Sequence, residues 1–434
     1  MSEWKKSRIE GGESRARPDL PEPPNLRLLP PVLRQRVEAA RRLAVEKRLP
    51  LYLVGGAVRD LLLHRRVCDV DLTVQGDGIA LGRSLARRLR ARPRPHERFG
   101  TVTLEFDDGS RLDVASTRAE TYEARGALPR VASAPLDRDL ARRDFTINAM
   151  ALRIAPQRRP VLIDPFGGAR DLERKTIRML HEASPLDDPT RAFRAVRYAN
   201  RLRFRIDSRT RRWIAAAARL GVFDSVSGDR IRRELRLLFS EPDRARAVRL
   251  MGALGIARAV DPALRHDAPI LASLRRAEGV ARRHPGRTTW LLFLFVWFGA
   301  LDAAGLERLS RRLSLPGEEG KRLRSFSSLL GDLRMDPSRA TPSALIARGS
   351  CPDEIAAAAA LLGGGPTGRR LDRALRASST RLTIGGRDLI AAGIAAGPRI
   401  GHALRVTLSA RRDGKISRRE ELAFAVRAAR KMTS

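Results

Sequence analysis

The sequence is poor in cysteine and in long apolar runs. Cys68 and Cys351 are the only cysteines among 434 residues, too few for a disulfide framework or a cysteine-ligated metal cluster. We therefore expect a reducing, cytoplasmic setting. The most apolar run, residues 290–301, is too short to cross a bilayer and is typical of a buried helix. The first residues lack the apolar core of a signal peptide, so we expect neither secretion nor a membrane partner.

Acidic residues and lysine are also scarce relative to arginine. The chain has 49 acidic and 85 basic residues and a formal net charge of +36. Only seven of the basic residues are lysines, which leaves 78 arginines. The planar guanidinium of arginine binds phosphate through paired hydrogen bonds, and a field of this sign attracts polyanions. Composition thus favours a nucleic-acid partner, with a solvated basic surface as the alternative.

The organisation of the chain changes at about residue 176. The length predicts about three domains, and the polar, proline-rich residues 1–27 are predicted to be disordered. Beyond this segment, apolar periodicity predicts helices at 31–48 and 78–92, and strands at 51–54, 69–74, 101–106 and 111–116. These elements indicate a small mixed sheet with helices packed on it. From about residue 176 onward the pattern predicts helices only.

A glycine turn stands at the end of the first predicted strand. Gly55 and Gly56 allow the backbone to bend sharply and to approach a ligand without a Cβ atom in the way. The helix that follows would direct its free N–H groups toward phosphate, and Arg59 lies one turn into it. The sequence therefore predicts a phosphate site at this turn, although such a turn can also be purely structural.

Acidic residues follow closely on the glycine turn. Asp69 and Asp71 are one residue apart on a predicted strand, so both carboxylates are expected on the same face. Asp113 lies on another predicted strand. Carboxylates suit Mg²⁺, which shares oxygen ligands with substrate phosphates, and the three residues predict a two-metal site for displacement at phosphorus. A solvated strand end is the alternative for any one of them.

Several motifs resemble a known family. The segment 54-VGGAVRDLLLHRRVCDVDLTV-74 is similar to the first motif of the class II tRNA nucleotidyltransferases. This family comprises CCA-adding enzymes, their CC-adding and A-adding relatives, and bacterial poly(A) polymerases. The resemblance continues in the family's order through a ribose-binding motif at 142–150, a hinge at 163–172, a base-reading motif at 187–204 and a tail at 384–405.

The resemblance implies an α+β fold. Its first part is a nucleotidyltransferase head with a mixed sheet like that of polymerase β, and the remainder is entirely helical. The implied domains are a head at 28–175, a neck at 176–245 that carries the base-reading motif, a body at 246–375 and an RNA-binding tail at 376–434.

The resemblance also assigns roles to the glycine turn and the ribose motif. By the family pattern, Asp69 and Asp71 hold the catalytic metals, while the triphosphate is held by Gly55, Gly56 and Arg59. In 142-RRDFTINAM-150, the family role is selection of ribonucleotides. Asp144 can accept a hydrogen bond from a ribose hydroxyl, Asn148 can donate and accept, and Arg143 can neutralise phosphate. An N-cap with surface charge is the alternative for this motif.

The base-reading motif places Asp188 and Arg191 three residues apart, and therefore as neighbours on one helix face. A carboxylate accepts from an exocyclic amino group, and a guanidinium donates to the adjacent ring acceptor. Cytosine and adenine both present this pair of groups, whereas uracil and guanine present a carbonyl to the carboxylate. Arg194 extends the same basic helix toward the nucleotide or the RNA. A capping aspartate beside a salt-bridged arginine is the alternative.

The function implied by the resemblance is template-independent addition of C and/or A, from CTP and ATP, to the 3′ end of tRNA, with Mg²⁺ or Mn²⁺ as cofactor. A poly(A) polymerase and enzymes that add only CC or only A share these motifs. An inactive RNA-binding protein on the same scaffold is the alternative from another class, and the intact aspartates argue against it. The product and the oligomeric state stay open.

Overall fold

The computed structural model describes residues 22–121, 129–157, 159–286, 288–363, 365–377 and 379–431. Contacts divide the described chain into two compact units. The first holds the described residues up to Arg191 together with Leu202–Trp213, and the second holds Ala192–Arg201 and the residues from Ile214 onward. Of the segment predicted to be disordered, residues 1–21 lie outside the described residues, and Leu26–Leu28 form a short 3-10 helix.

The first unit contains the strands. In chain order they are β1 (Leu51–Val54), β2 (Asp71–Val74), β3 (Arg92–His96), β4 (Thr101–Glu105), β5 (Arg111–Ser116), β6 (Arg118–Thr121), β7 (Arg130–Ser133), β8 (Ala151–Ala155), β9 (Val161–Ile163), β10 (Thr176–Ile177) and β11 (Arg205–Ile206). Its helices are α1 (Pro31–Glu46), α2 (Gly56–Leu62), α3 (Gly78–Leu89), α4 (Leu136–Ala141), α5 (Gly168–Glu173) and α6 (Ser184–Asp187). The mixed-sheet head is confirmed.

Seven strands form the main sheet, in the order β3-β4-β5-β2-β1-β8-β9. The pair β2 and β5 is parallel, and the other neighbours are antiparallel. Side chains of paired residues on adjacent strands project to the same face of a sheet. The register therefore fixes which residues share each face.

Helix α3 covers one face of this sheet. A Cβ atom added to Gly82 would lie 2.1 Å from Cγ1 of Val102, and one added to Gly78 would lie 2.5 Å from the backbone of Ala115. Both glycines thus permit a close approach that no larger residue allows. Leu72, Val114 and Val102 are in register and share this face. The opposite face packs against α4, where Leu136 and Leu140 join an apolar cluster from β1 and β8.

Two strand predictions need correction. The helix predicted at 78–92 ends at Leu89, because Arg90 adopts a left-handed conformation with φ of 52°, and residues 92–96 form the edge strand β3, which was not predicted. The prediction of helices only after residue 176 is also wrong, since β10 and β11 form a short parallel pair. Both strands are two residues long, too short to produce a periodic signal.

The regular secondary structure of the second unit consists of helices across its described residues. It contains most of α7 (Thr190–Leu202) and the last turns of α8 (Ser208–Arg219), followed by α9 (Gly228–Ser240), α10 (Arg244–Ala253), α11 (Ile256–Val260), α12 (Ala268–Arg283), α13 (Trp290–Phe298), α14 (Ala303–Arg312), α15 (Gly317–Met335), α16 (Pro342–Ala347), α17 (Pro352–Leu362), α18 (Pro366–Ala377), α19 (Gly386–Ala391), α20 (Pro398–Arg412) and α21 (Glu421–Arg430).

Aromatic side chains form part of the core of this unit. The ring of Phe239 stacks on that of Phe293 at 6.4 Å and meets that of Trp297 edge-on at 5.9 Å. Helix α13 therefore lies in the interior, as its apolar run predicts, and eight of its nine residues are buried. Across the described ranges, the helices are all too short or too polar to traverse a bilayer.

Candidate active site

The glycine turn follows β1 as the sequence predicts. Gly55 has φ of 68°, in the left-handed region that favours glycine, and its N–H donates to the carbonyl of Met150 at 3.2 Å. A Cβ atom here would lie 2.8 Å from a terminal nitrogen of Arg143. Gly55 is therefore required both by its backbone conformation and by the guanidinium that lies against it. Helix α2 begins at the next residue, Gly56.

The acidic residues meet on the face of the sheet opposite α3. Asp71 opens β2 and is paired in register with Asp113 on the parallel strand β5. Thr103, paired with Asp113 on β4, donates its hydroxyl to that carboxylate at 2.5 Å. Asp69 precedes β2 and is exposed, so the prediction that it lies on the strand is wrong. It is nevertheless close enough to act electrostatically on Asp71.

The surroundings of Asp71 disfavour its negative charge. The protein packed around this carboxyl group reduces its hydration and raises its pKa above the ordinary value, although the side chain keeps access to solvent. The charges of Asp113 and Asp69 raise the pKa further, and that of Arg143 opposes them. A positive partner at this place would relieve the repulsion between the carboxylates. In the described ranges, no three acidic, histidine or cysteine side chains are grouped closely enough to hold a metal ion unaided.

The ribose motif is a buried hydrogen-bond network. Asp144 accepts from the Asn148 side chain at 3.0 Å and from the Phe145 backbone at 2.8 Å. The Asn148 oxygen accepts from Arg59 at 2.7 Å, and Arg59 also forms a bidentate pair with Asp60. Arg59 is only 3% exposed. In this structure it orients the ribose motif, and its predicted contact with the triphosphate stays a prediction.

Arg143 is held by an aspartate that the sequence analysis missed. Asp139 on α4 is fully buried and accepts from both Arg142, at 2.8 Å, and Arg143, at 3.1 Å. The i,i+3 and i,i+4 spacing of Asp139, Arg142 and Arg143 is the sequence signal from which this cluster could have been predicted. Arg142 also donates to Glu120 on β6 at 2.6 Å. Burial alone would raise the pKa of Asp139, but the two arginines lower it below the ordinary value.

The base-reading residues lie beside this network. Asp188 caps the start of α7, where its carboxylate accepts from the backbone and hydroxyl of Thr190 at 3.0 and 2.7 Å. Arg191 is 5% exposed and donates to the Ser184 hydroxyl and to the Arg142 carbonyl, both at 2.8 Å. The bond to the Arg142 carbonyl anchors the guanidinium to the ribose motif. Ser184, which is fully buried, was not predicted.

Arg194 is half-buried in the part of α7 that belongs to the second unit. Its contact with the nucleotide or the RNA stays a prediction. The remaining site residues that the sequence predicts, from Gly55 to Arg191, lie in the first unit. They converge from β1, β2, β5, the ribose motif and the start of α7.

Comparisons with known proteins place this arrangement in a family. A family model described as "Poly A polymerase head domain" matches residues 51–178, and one described as "Probable RNA and SrmB- binding site of polymerase A" matches residues 203–267. The A-adding tRNA nucleotidyltransferase of Geobacter sulfurreducens is 46% identical over 50% of this chain. That match spans only 25% of the Geobacter protein, so the chain covers a quarter of its length.

Other relatives match most of the chain. The CC-adding tRNA nucleotidyltransferase of Deinococcus radiodurans is 32% identical, over 87% of this chain and 89% of the relative. The structure of the Thermotoga maritima CCA-adding enzyme complexed with tRNA is similar, with a TM-score of 0.72 and 28% identity over 94% of this chain and 97% of that one. The chain belongs to the family of tRNA nucleotidyltransferases and bacterial poly(A) polymerases.

Replacement of Asp139 tests the support of Arg143. Asp139→Asn removes the carboxylate from Arg143 and leaves Arg142 with Glu120 alone, which costs on the order of 1–3 kcal/mol of unfolding free energy because the two arginines are half-buried. Because the pKa of Asp139 is lowered in the folded protein, its contribution is complete above an ordinary value of about 4 and is lost as pH falls through the folded value. Urea unfolding from neutral pH downward should show the wild-type advantage shrinking below about pH 4.

Asp137→Asn on the same helix is the matched control, because Asp137 is exposed. It should change the free energy of unfolding by less than about 0.5 kcal/mol. An equal loss in both variants, or an Asp139 effect that is independent of pH, contradicts the assignment.

Proposed function

We propose that this chain adds nucleotides to the 3′ end of tRNA from ATP and/or CTP, without a nucleic-acid template. The observation that carries the proposal is the in-register pairing of Asp71 with Asp113 beside the Gly55 turn and Arg143. This is the arrangement of paired carboxylates and a phosphate-binding bend that nucleotidyl transfer requires. The printed activities of the relatives agree with it.

The residues of this site fit Mg²⁺, with Mn²⁺ as the alternative. Asp71 and Asp113 are adjacent carboxylates with an unfavourable repulsion, and Mg²⁺ is commonly bound by one or two carboxylates with substrate phosphates supplying further oxygens. Asp69, Asp71 and Asp113 would hold the ions. When bound, the ions supply positive charge to the attacking and leaving oxygens of an in-line displacement.

The chain's own residues then bind and orient the nucleotide. Gly55 and Gly56 allow the backbone to approach the triphosphate, and Arg143 brings a positive charge to the same place. Asp113 is held by Thr103, so one carboxylate stays fixed as the 3′ hydroxyl of the RNA approaches. No protein nucleophile is needed, because the hydroxyl itself attacks the α-phosphate, loses its proton to solvent and displaces pyrophosphate as the phosphodiester bond forms.

Selection of the sugar and the base rests on two further groups of residues. Asp144 and Asn148 are orientated by Arg59 and are proposed to bind the ribose hydroxyls. Asp188 and Arg191 are proposed to read the amino group and its neighbouring acceptor in cytosine or adenine. A base with a carbonyl in the amino position leaves buried polar groups unpaired, which discriminates by several kcal/mol.

Addition of adenosine is the favoured activity within this class. The A-adding relative is 46% identical to half of the chain, whereas the CC-adding relative is 32% identical over a longer match. Addition of CC is the second candidate, because that relative matches 87% of the chain. We infer that the helical neck, body and tail bind the RNA, and that the protein acts in the cytoplasm, where its two unpaired cysteines would stay reduced.

A primer-extension assay tests the function. Three RNAs are incubated with ATP and CTP separately: tRNA that lacks CCA, tRNA that ends in CC, and an unrelated RNA. An A-adding enzyme extends only the tRNA ending in CC, by one residue from ATP. Asp71→Ala should abolish extension while tRNA binding persists, because the carboxylate acts in transfer and not in RNA recognition.

Each other product pattern identifies a different activity. Long adenosine tracts on the unrelated RNA would identify a poly(A) polymerase, and extension of the tRNA lacking CCA from CTP would identify CC addition. A lack of incorporation with all three RNAs contradicts the proposal. Turnover by Asp71→Ala at the wild-type rate would refute the assignment of the acidic site.

Ser184 tests the anchoring of the base-reading arginine. Ser184→Ala removes the hydrogen bond between the Ser184 hydroxyl and the Arg191 guanidinium, and the loss of a hydrogen bond to a charged group costs about 1.5–3 kcal/mol. We expect at least a tenfold fall in the preference for ATP over GTP, measured as the ratio of kcat/KM values, with a larger fall for Arg191→Ala. RNA binding should change little.

Ser84→Ala is the matched control, because Ser84 lies on α3, on the other face of the sheet, where its hydroxyl bonds to Ala80 and Arg87 of the same helix. It should keep the wild-type preference. Equal losses of activity with all four nucleotides in Ser184→Ala, without a change of preference, would indicate general destabilisation and would overturn the anchoring role.

A further inference from the structure

Strand β3 places a row of basic side chains on the catalytic face of the sheet. Arg94 is paired in register with Thr103, which is paired with Asp113, which is paired with Asp71. Arg92 is two residues from Arg94 on the same strand and shares its face. All five residues of β3 are exposed. The acidic site and the basic edge thus belong to one continuous surface.

The order of the strands indicates which reactant this edge would meet. The proposed triphosphate site lies at the end of β1, on one side of β2, while Asp113 and then β4 and β3 lie on the other side. In an in-line displacement the attacking oxygen approaches opposite the leaving group. If pyrophosphate leaves on the β1 side, the RNA that carries the attacking hydroxyl arrives over β5, β4 and β3.

The charge of the edge suits a phosphate backbone. Arg92, Arg94 and Arg111 are exposed and carry three positive charges, against the single negative charge of Glu105 between them. The carboxylate of Glu105 is 3.6 Å from Arg94 and 3.8 Å from Arg111. These are loose contacts at an exposed site, which cost little to exchange for phosphate.

The edge is also unsuited to a protein strand as its partner. Pro93 and Pro95 alternate with the basic residues and lack the N–H groups that a further strand would require. Proline on an edge strand is a common device against strand addition. A partner of this edge would therefore be recognised by its exposed basic side chains, which lie at a fixed distance from the acidic site.

We propose that Arg92 and Arg94 bind backbone phosphates of the RNA substrate a few nucleotides before its 3′ end. Three strand spacings separate Arg94 from Asp71, or roughly 14 Å, which a few nucleotides of RNA backbone span. The edge would hold the 3′ end in line with the site between Asp71 and Asp113. The assignment of the bound polyanion as RNA rests on the proposed function.

The double variant Arg92→Gln/Arg94→Gln tests this surface. We expect the KM for tRNA ending in CC to rise about tenfold and the KM for ATP to stay at the wild-type value. Each lost arginine–phosphate contact should lower the slope of log binding constant against log salt concentration by about one unit. The same shift is expected in binding of a short single-stranded RNA ending in CC, measured by fluorescence anisotropy. Arg92→Lys/Arg94→Lys should restore most of the binding.

Arg87→Gln/Arg90→Gln is the matched control, since it removes the same charge from exposed residues of α3 and its end, on the other face of the sheet. An equal effect in this control would show that the net charge of the protein, and not the position of Arg92 and Arg94, causes the change, and would overturn the proposal. A rise in the KM for ATP instead of RNA, or an unchanged salt slope, would also overturn it. If wild-type protein binds the short RNA through β3 but adds no nucleotide, the proposed function fails and the RNA-binding edge stands.

Discussion

The carboxylates of Asp71 and Asp113 repel each other across two adjacent parallel strands, and the fold holds them side by side in spite of this repulsion. Like charges directly opposite on neighbouring strands destabilise a sheet, and here the packed surroundings raise the pKa of Asp71 as well. The protein offsets part of this cost with Arg143 and with the hydrogen bond from Thr103. A sheet that keeps two such carboxylates side by side is suited to bind a cation from outside the chain. The site depends on this placement of like charges.

The network around the pair connects the residues proposed for base recognition with those proposed for catalysis, inside one unit. Arg191 bonds to the backbone of Arg142, and Asp139 holds both Arg142 and Arg143. Arg143 in turn lies against the Gly55 turn. A displacement of Arg191 would therefore be transmitted to the proposed triphosphate site through a short series of partly buried hydrogen bonds and ion pairs. Rigid supports of this kind keep a site in the geometry that transfer requires.

Much of the head follows from the sequence because its signals are local. Strand β1 is a short apolar run with the predicted bounds, and the glycine turn is set by the left-handed conformation at Gly55. The position of Asp113 opposite Asp71 depends on the parallel register of β5 with β2. No local sequence pattern contains that register. Strand β3 escaped prediction because 92-RPRPH-96 has no apolar residue besides its two prolines. These residues form a strand because they pair with β4.

The supporting residues were harder to predict than those proposed to act in catalysis. Ser184 and Arg59 act through partners that are distant in sequence, and only the folded chain shows that Arg59 meets Asn148. A crystal structure with Mg²⁺ and a non-hydrolysable ATP analogue would test the central claim most directly. The account predicts the polyphosphate at the Gly55 turn and metal density between Asp71 and Asp113. A nucleotide bound elsewhere, with both carboxylates free of metal and ligand, would contradict it.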